Sequence, residues 1–183
     1  GLAFDKGVFE ELLVKSSFDF SDIQKNLAFL KGYKTEGNIS SQDITEAIPK
    51  SLQDNIFDMT QLLLRGQIQD VRELVHDLRL QGEDEIKLIA VMLGQFRTYL
   101  QVKLLSAQGK SEQQIVSSLS DYLSRKVNPF QVRYAIRDSR HLSVAFLKTT
   151  IKTLVETDYQ IKTGTLDKDY LLDLALLKIA SNS

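Results

Sequence analysis

Two short segments of the chain contain parts of motifs that bind or transfer phosphate. Residues 109–111 read Gly-Lys-Ser, the end of a P-loop, but that loop needs a glycine at the position of Leu104 and a strand before it. Residues 162–166 read Lys-Thr-Gly-Thr-Leu, as in the phosphorylation motif of P-type ATPases, but Ile161 stands where the nucleophilic aspartate would be. Both segments are instead predicted to be helix ends with a glycine cap.

Side chains for metal or nucleophilic chemistry are scarce. The chain has no cysteine, and its histidines, His76 and His141, fall in different predicted helices, whereas a zinc site needs three or four ligands. It contains no Gly-x-Ser-x-Gly motif. The paired acids Glu10-Glu11 and Asp84-Glu85 lie where they would stabilise helix N-termini or a solvated surface. The sequence therefore predicts no catalytic residue, no metal site and no cofactor.

Three arginines form the clearest charged pattern. Arg133, Arg137 and Arg140, the arginine stripe, recur at intervals of four and three residues, so a helix would place them on one face. Three more basic side chains are close in sequence: Arg125, Lys126 and His141. The stripe is interpreted as a solvated face, a contact with a protein partner, or a contact with a phosphate backbone. Aromatic interleaving that would support base stacking is not found in this pattern.

One carboxylate falls on an apolar helix seam. Asp158 follows Ile151 by seven residues and precedes Ile161 by three. A carboxylate on a buried seam destabilises the fold unless it is paired, and Lys162, one turn further on, is placed to pair with it. The alternatives are a structural pair or inter-helix bond, in which Arg97 is a further candidate, and a contact with another subunit.

The composition is that of a soluble globular protein. Of 183 residues, 43% are hydrophobic and 26% charged, which supplies enough Leu, Ile, Val and Phe for a core. The net charge of −1 predicts no overall attraction to nucleic acid or to an anionic membrane surface. The absence of cysteine, and of a basic start leading into an apolar segment, favours a cytoplasmic protein.

Helical periodicity dominates the sequence, and strand-like alternation is hard to find, so the chain is predicted to be all-α. The most apolar segment, residues 83–109, predicts a helix of about seven turns. Its apolar positions recur at spacings of three and four: Ile86, Ile89, Leu93, Phe96, Leu100 and Leu104. Ala90 and Gly94 would let a neighbouring backbone approach closely. This helix is therefore predicted to be the centre of a bundle.

Short polar residues predict where the other helices begin. The predicted starts are Ser21 with Gln24, Asp54, Ser111 with Gln114, and Asn128 before Pro129. Residues 120–127 are predicted to be a loop or an irregular turn. The last helix is predicted to face inward through Tyr170, Leu174 and Leu177.

The chain is predicted to form two units. Three short helices end at Pro49, and a unit of about 50 residues can barely bury a core of its own. Residues 1–52 are therefore predicted to be a small three-helix domain that packs on something else. Residues 53–183 are predicted to form a bundle of six or seven helices.

Several short segments, taken in order, resemble a known family. They are residues 38–40 followed by Asp43-Ile44, residues 55–58, residues 95–97, residues 128–130 with Val132, residues 156–158 followed by 161–164, and the leucine-rich helix from Tyr170. Their order and spacing resemble the delta subunit of the bacterial DNA polymerase III clamp loader. The similarity runs from about Phe4 to Ile179.

The resemblance implies the architecture of that subunit. Residues 1–52 would be the small lid of an AAA+ module, and residues 53–183 would be the helical collar through which loader subunits assemble. The preceding clamp-opening AAA+ domain would be missing from this chain. The first arginine, Arg65, lies beyond the lid, which agrees with a family member that binds no ATP.

The resemblance also implies a role in DNA replication. The chain would have no activity of its own and would belong to the DNA polymerase, a nucleotidyltransferase, by complex membership. The expected partners are the other loader subunits, the sliding clamp only through the missing domain, and DNA indirectly or weakly, with no membrane and no cofactor. The residues predicted for partner contact or inter-subunit pairing are Arg133, Arg137, Arg140, Arg97, Asp158 and Lys162. The alternative function is a helical DNA-binding or regulatory module that uses the arginine stripe.

Overall fold

Helices dominate the computed structural model, which describes residues 1–16, 19–164 and 166–182. Within these ranges 74% of the structure is helical, in ten helices, so the all-α prediction is confirmed. The chain divides into two compact units, residues 1–50 (unit 1) and 51–183 (unit 2). Thr165, part of the phosphorylation-like segment, lies outside the described residues.

Unit 1 combines three helices with a small sheet. Its elements are β1 (Leu2–Phe4), α1 (Val8–Lys15), α2 (Phe20–Tyr33), β2 (Gly37–Ile39) and α3 (Ser41–Ala47). The two strands pair in parallel with Leu2 opposite Gly37. Strands of three residues are too short to show alternation, so sequence periodicity missed them. The buried core is Val8, Leu12, Leu30, Ile39, Ile44 and Ile48.

The start of α2 differs from the prediction. Asp19 is the N-cap, and its carboxylate accepts from the backbone N–H of Ser21 at 2.9 Å and of Asp22 at 3.1 Å. The capping box predicted at Ser21 and Gln24 is therefore wrong. Asp19 also adds a full negative charge at the positive end of the helix, which a serine cannot supply.

The start of α3 is a complete capping box. The Ser40 hydroxyl accepts from the backbone N–H of Asp43, and the Asp43 carboxylate accepts from the backbone N–H of Ser40. Lys34 donates to the same carboxylate at 2.8 Å. The Lys34 hydrogen bond, together with the Ser40 backbone, lowers the pKa of Asp43 to about 2.

Unit 2 is a bundle of seven described helices. They are α4 (Leu52–Leu64), α5 (Ile68–Leu80), α6 (Glu85–Ala107), α7 (Glu112–Leu123), α8 (Pro129–Asp138), α9 (Val144–Lys162) and α10 (Lys168–Ala180). Helix α6 packs against α4, α8, α9 and α10. It is therefore the centre of the bundle, as predicted.

Not every apolar residue of α6 is buried. Phe96 is fully buried and meets Tyr99 and Phe146 in edge-to-face contacts, with ring centroids 5.9 Å and 6.5 Å apart. Leu104, predicted on the same stripe, is 41% exposed. Ala90 and Gly94 are exposed as well, and nothing lies within 4 Å of a Cβ placed on Gly94. The close approach predicted at Ala90 and Gly94 is not found among the residues that the structure describes.

The caps of unit 2 confirm two predictions and correct two. Ser111 with Gln114, and Asn128 before Pro129, cap α7 and α8 as predicted. Helix α4 begins three residues earlier than predicted, because Ser51 is the N-cap and Asp54 its capping-box partner. Helix α7 runs through Leu123, so the loop predicted at residues 120–127 is wrong in its first half.

The predicted inward face of α10 is also wrong. The buried residues are Leu171, Leu172, Ala175, Leu176 and Ile179. Tyr170 is 57% exposed and Leu177 is 46% exposed, while Leu174 is half-buried. Because α10 is apolar on nearly all sides, periodicity could not tell which face enters the core.

No helix in the described ranges is both long enough and apolar enough to span a lipid bilayer.

Candidate interaction surfaces

The arginine stripe lies on the outer face of α8. Val132 and Ala135 face the core, and the Asn128 cap fixes where the helix starts, so Arg133 and Arg137 point to solvent. The guanidinium of Arg133 lies 5.5 Å from the centroid of the Phe130 ring, and that of Arg137 lies 5.0 Å from the Tyr134 ring. These distances are within the range of cation–π contacts. Aromatic rings and guanidinium groups therefore alternate along this face.

Each stacked arginine is also held by a carboxylate. Arg133 pairs with Glu112 at the start of α7, with Nη2 and Oε1 3.0 Å apart. Arg137 donates from Nε to Oδ1 of Asp138 at 2.7 Å. Asp138 Oδ2 is buried and has no hydrogen-bond partner among the described residues. Since the side chain of Asp138 is only 8% exposed, it orients Arg137 from below.

Arg140 lies just beyond the end of α8. Lys103 of α6 donates from Nζ to the backbone carbonyls of Ser139 and Arg140, each at 3.1 Å, which fixes the turn after the helix. The side chain of Arg140 is exposed, as is neighbouring His141. The structure therefore places Arg133 and Arg137 on one face of α8 and Arg140 exposed in the turn that follows.

Sequence reasoning missed the aromatic part of this surface. Phe130 and Tyr134 are one turn apart and precede Arg133 and Arg137 by three residues each. The expectation that aromatic residues do not interleave with the stripe is therefore wrong. Helical spacing applied to all residue types, and not to the arginines alone, would have found the pattern.

The predicted pair at the end of α9 is present. Lys162 donates from Nζ to Asp158 Oδ2 at 2.7 Å, and the Asp158 side chain is 23% exposed. Arg97 of α6 is exposed, and among the described residues it is not an ion-pair partner of Asp158. Asp158 is thus satisfied by its own helix, and Arg97 is not brought together with it.

A partly buried polar link joins α4 to α6. Thr60 donates from Oγ1 to Gln95 Oε1 at 2.9 Å, and Gln95 donates from Nε2 to the Tyr99 hydroxyl at 2.7 Å. Burial raises the pKa of Tyr99 to about 12, and the charge of Asp138 adds to the shift. The phenol therefore stays neutral at physiological pH, and the link is structural.

Exposed apolar side chains form a second surface, on α10. The outer face of this helix carries Tyr170, half-buried Leu174 and Leu177, whose spacings of four and three residues place them on one side of the helix. Leu166, before the helix, is 59% exposed. We call Tyr170, Leu174 and Leu177 the α10 outer face. Exposed apolar side chains that share one face of a helix are a candidate interaction site.

In the described ranges, no group of three or more His, Asp or Glu side chains could hold a metal ion. His76 lies on α5 and His141 in the turn after α8, both exposed. The segment at Gly109 ends α6 with a left-handed glycine, and Ser111 caps α7, as predicted.

The fold is that of a helical-bundle protein, and comparisons with known proteins identify its family. Residues 53–179 match the family described as DNA polymerase III delta subunit, C-terminal domain. The chain belongs to this family of DNA polymerase III delta subunits.

A protein sequence and a solved structure, both from Bacillus subtilis, agree with this assignment. DNA polymerase III subunit delta of strain 168 is 35% identical over 160 residues, which cover 87% of this chain and 44% of that protein. The solved structure of the Bacillus subtilis DNA clamp loader delta protein (YqeN) has a TM-score of 0.84 at 30% identity, covering 98% of this chain and 51% of that one. The chain thus spans about half the length of these relatives.

Proposed function

We propose that this chain is the C-terminal assembly part of a clamp-loader subunit that acts in DNA replication. Unit 2 would be a collar that packs against other loader subunits, and unit 1 would be a lid that links the collar to a preceding clamp-opening domain. The chain itself would catalyse no reaction and would serve DNA synthesis through the polymerase complex. Family membership and the names of the matching Bacillus subtilis sequence and structure support this proposal.

The observation that carries the assembly role is the α10 outer face. Helix α10 buries five apolar residues in the unit 2 core and still presents Tyr170, Leu174 and Leu177 on the other side. A helix that is apolar all round is normally buried on all sides. Interfaces of permanent assemblies bury about 2,000 Å² or more and are largely apolar, which matches a face of this kind.

The test is assembly of the full-length subunit with the other clamp-loader subunits, measured by analytical ultracentrifugation or calorimetry. Replacing Tyr170 and Leu177 with serine should weaken assembly about tenfold or more, because burying each such side chain contributes about 1.5–3 kcal/mol. The matched control is Tyr122→Ser, which removes an exposed ring from α7; Tyr122 is 75% exposed, compared with 57% for Tyr170. Unchanged assembly of the α10 variant, with its helical circular dichroism intact, would disprove this role for α10.

The arginine stripe was the sequence-based candidate for protein contact. Because aromatic rings alternate with its arginines, a contact with nucleic acid is the second candidate role for this surface.

A further inference from the structure

We propose that an ion cluster at the start of α10 decides which apolar side of this helix enters the core of unit 2 and which side stays outside for a neighbouring loader subunit. Lys168 is the positioning residue of this cluster. The cluster joins α5, the start of α6 and α10, and it consists of Arg72, Arg79, Asp84, Glu85, Lys168, Asp169 and Asp173. This inference rests on the proposed assembly role of α10 and adds how the face for that role is chosen.

Apolar packing alone does not orient α10. Its buried residues lie on one side, and Tyr170, Leu174 and Leu177 lie on the other. Because the hydrophobic effect is non-directional, a helix with apolar residues on nearly all sides can bury similar areas in more than one orientation. Charged hydrogen bonds depend on direction, so they distinguish orientations that burial alone does not.

Lys168 connects the first turn of α10 to the start of α6. Its Nζ lies 2.7 Å from Asp84 Oδ2 and 3.0 Å from Glu85 Oε2. Asp84 is the N-cap of α6, and Glu85 is buried. Hydrogen bonds to Asp84 and Glu85 raise the pKa of Lys168, so its ammonium stays charged at physiological pH. One cation therefore serves two carboxylates, of which one is buried.

Arg79 of α5 holds the other side of Glu85 and reaches the same turns of α10. Its Nε donates to Glu85 Oε1 at 2.8 Å, and its Nη2 donates to the backbone carbonyl of Asp169 at 3.3 Å. Its Nη2 also lies 3.5 Å from Asp173 Oδ1, and Asp173 Oδ2 lies 3.8 Å from Nη2 of Arg72. The contacts from α5 thus follow α10 from its first turn into its second.

The cluster matches one orientation of α10. At about 100° per residue, Lys168 lies within about 40° of buried Leu172, while Asp169 and Asp173 lie between the buried side and the outer face. Turning the outer face inward would move Lys168 away from Glu85. A buried carboxylate that loses its partner is strongly destabilising, so the cluster penalises that orientation.

Cysteine labelling of the full-length subunit measures the orientation of α10, because this chain has no cysteine of its own. One reporter is Leu177→Cys on the outer face, and the other is Ala175→Cys at a position that is 1% exposed. Any cysteine elsewhere in the subunit is replaced by serine. Buried thiols react only when the structure opens locally, so Leu177→Cys should react with a maleimide about a hundredfold faster than Ala175→Cys. Lys168→Glu should lower this ratio about tenfold or more, and an unchanged ratio would overturn the proposal.

Control variants separate orientation from lost stability. Lys168→Arg keeps the charge and should keep the labelling ratio. Lys178→Glu makes the same charge change at an exposed lysine in the last turn of α10, and Ile115→Ala removes a buried side chain from α7. Neither should change the ratio, although Ile115→Ala should lower the midpoint of unfolding. A fall in the ratio as large in Ile115→Ala as in Lys168→Glu would show that the cluster only stabilises the fold.

A second charge variant covers the case in which Lys168→Glu does not fold. Lys168→Met removes the ammonium and keeps the apolar stem, and it should lower the labelling ratio in the same direction. A folded Lys168→Met variant with the ratio of the wild type would equally overturn the proposal.

Assembly with the other clamp-loader subunits is the second readout, and it uses variants without the cysteine reporters. Lys168→Glu should weaken assembly about tenfold, and adding it to Tyr170→Ser with Leu177→Ser should weaken assembly little further, because all three changes act through one face. Fully additive losses would contradict positioning by Lys168. If Tyr170→Ser with Leu177→Ser leaves assembly intact while Lys168→Glu still changes the labelling ratio, the assembly role of α10 fails and its orientation by the cluster does not.

Discussion

Arg79 donates a hydrogen bond from Nε to Glu85 Oε1 over 2.8 Å and so ties the last turn of α5 to the first residue of α6. Lys168 of α10 reaches the other carboxylate oxygen of Glu85 at 3.0 Å. Glu85 is only 2% exposed. The sequence predicts Asp84 and Glu85 at a helix start, and Asp84 is indeed the N-cap of α6. Glu85 is in addition the buried residue at which α5, α6 and α10 meet.

We expect Glu85→Gln to destabilise unit 2. The neutral side chain keeps the shape of Glu85 but leaves Arg79 and Lys168 without its charge, and hydrogen bonds to charged groups contribute about 1.5–3 kcal/mol. Urea denaturation would measure the loss in the free energy of unfolding. The matched control is Glu156→Gln, whose exposed pair with Lys152 spans 3.8 Å and should contribute less than about 0.5 kcal/mol. Equal losses in the two variants would contradict the role given to Glu85.

The stabilisation by Glu85 should depend on pH. Burial alone would raise the pKa of Glu85, but hydrogen bonds, with that from Lys168 the largest, lower it from 4.5 to about 2. Because the pKa is depressed in the folded state, the stabilisation is present above pH 4.5 and is lost as pH falls towards 2. The pKa of neighbouring Asp169 is raised, chiefly by its hydrogen bond with Glu85, which offsets part of the effect.

The measurement is the stability difference between the wild type and Glu85→Gln, taken near neutral pH and again between pH 4.5 and 2. The difference should shrink in acid. A difference that stays constant, or grows as pH falls, would show that the Glu85 charge does not stabilise the fold.

Two residues of the predicted α6 stripe should respond very differently to truncation. Phe96→Ala removes a fully buried ring from contacts with Tyr99 and Phe146 and should cost about 3–5 kcal/mol. Leu104→Ala, at a position that is 41% exposed, should cost less than about 1 kcal/mol. Chemical denaturation of both variants checks the burial difference, and similar costs would refute it.

Gly94→Ala should stabilise the chain. Nothing lies within 4 Å of the added Cβ, and alanine is favoured over glycine inside a helix by about 0.8–1 kcal/mol. The readout is the midpoint of thermal unfolding. A lower midpoint would indicate a neighbour close to Gly94. Weaker assembly at unchanged or higher stability would place a partner subunit on this face of α6.

The start of α2 offers a direct test of capping. Asp19→Ala should cost about 1 kcal/mol, because two backbone N–H groups lose their acceptor. Ser21→Ala should change stability by only a few tenths of a kcal/mol, since Ser21 is a residue of the first turn of α2 and its side chain is exposed to solvent. Helical circular dichroism during urea denaturation compares the two. A larger loss of stability in Ser21→Ala than in Asp19→Ala would show that Ser21 is the N-cap, as the sequence predicted.

The sequence by itself determined the features that depend on neighbours in the chain. A cap, a glycine end or a pair such as Asp158 with Lys162 is decided within about one helical turn, so Ser111, Asn128 and the pair could be read directly. The length of α6 followed in the same way from its unbroken apolar pattern. Where two caps competed, as at Asp19 and Ser21, local rules alone did not choose correctly.

Only the tertiary structure decided which face of each apolar helix is buried. On α10 and α6, apolar residues lie on more than one side, so the choice depends on which neighbouring helix packs there. Contacts between residues far apart in the chain also depend on the tertiary structure. Glu85 pairs with Lys168 and β1 pairs with β2, and no local sequence pattern predicts either pairing. The energy of these contacts exists only once the helices that carry them have packed.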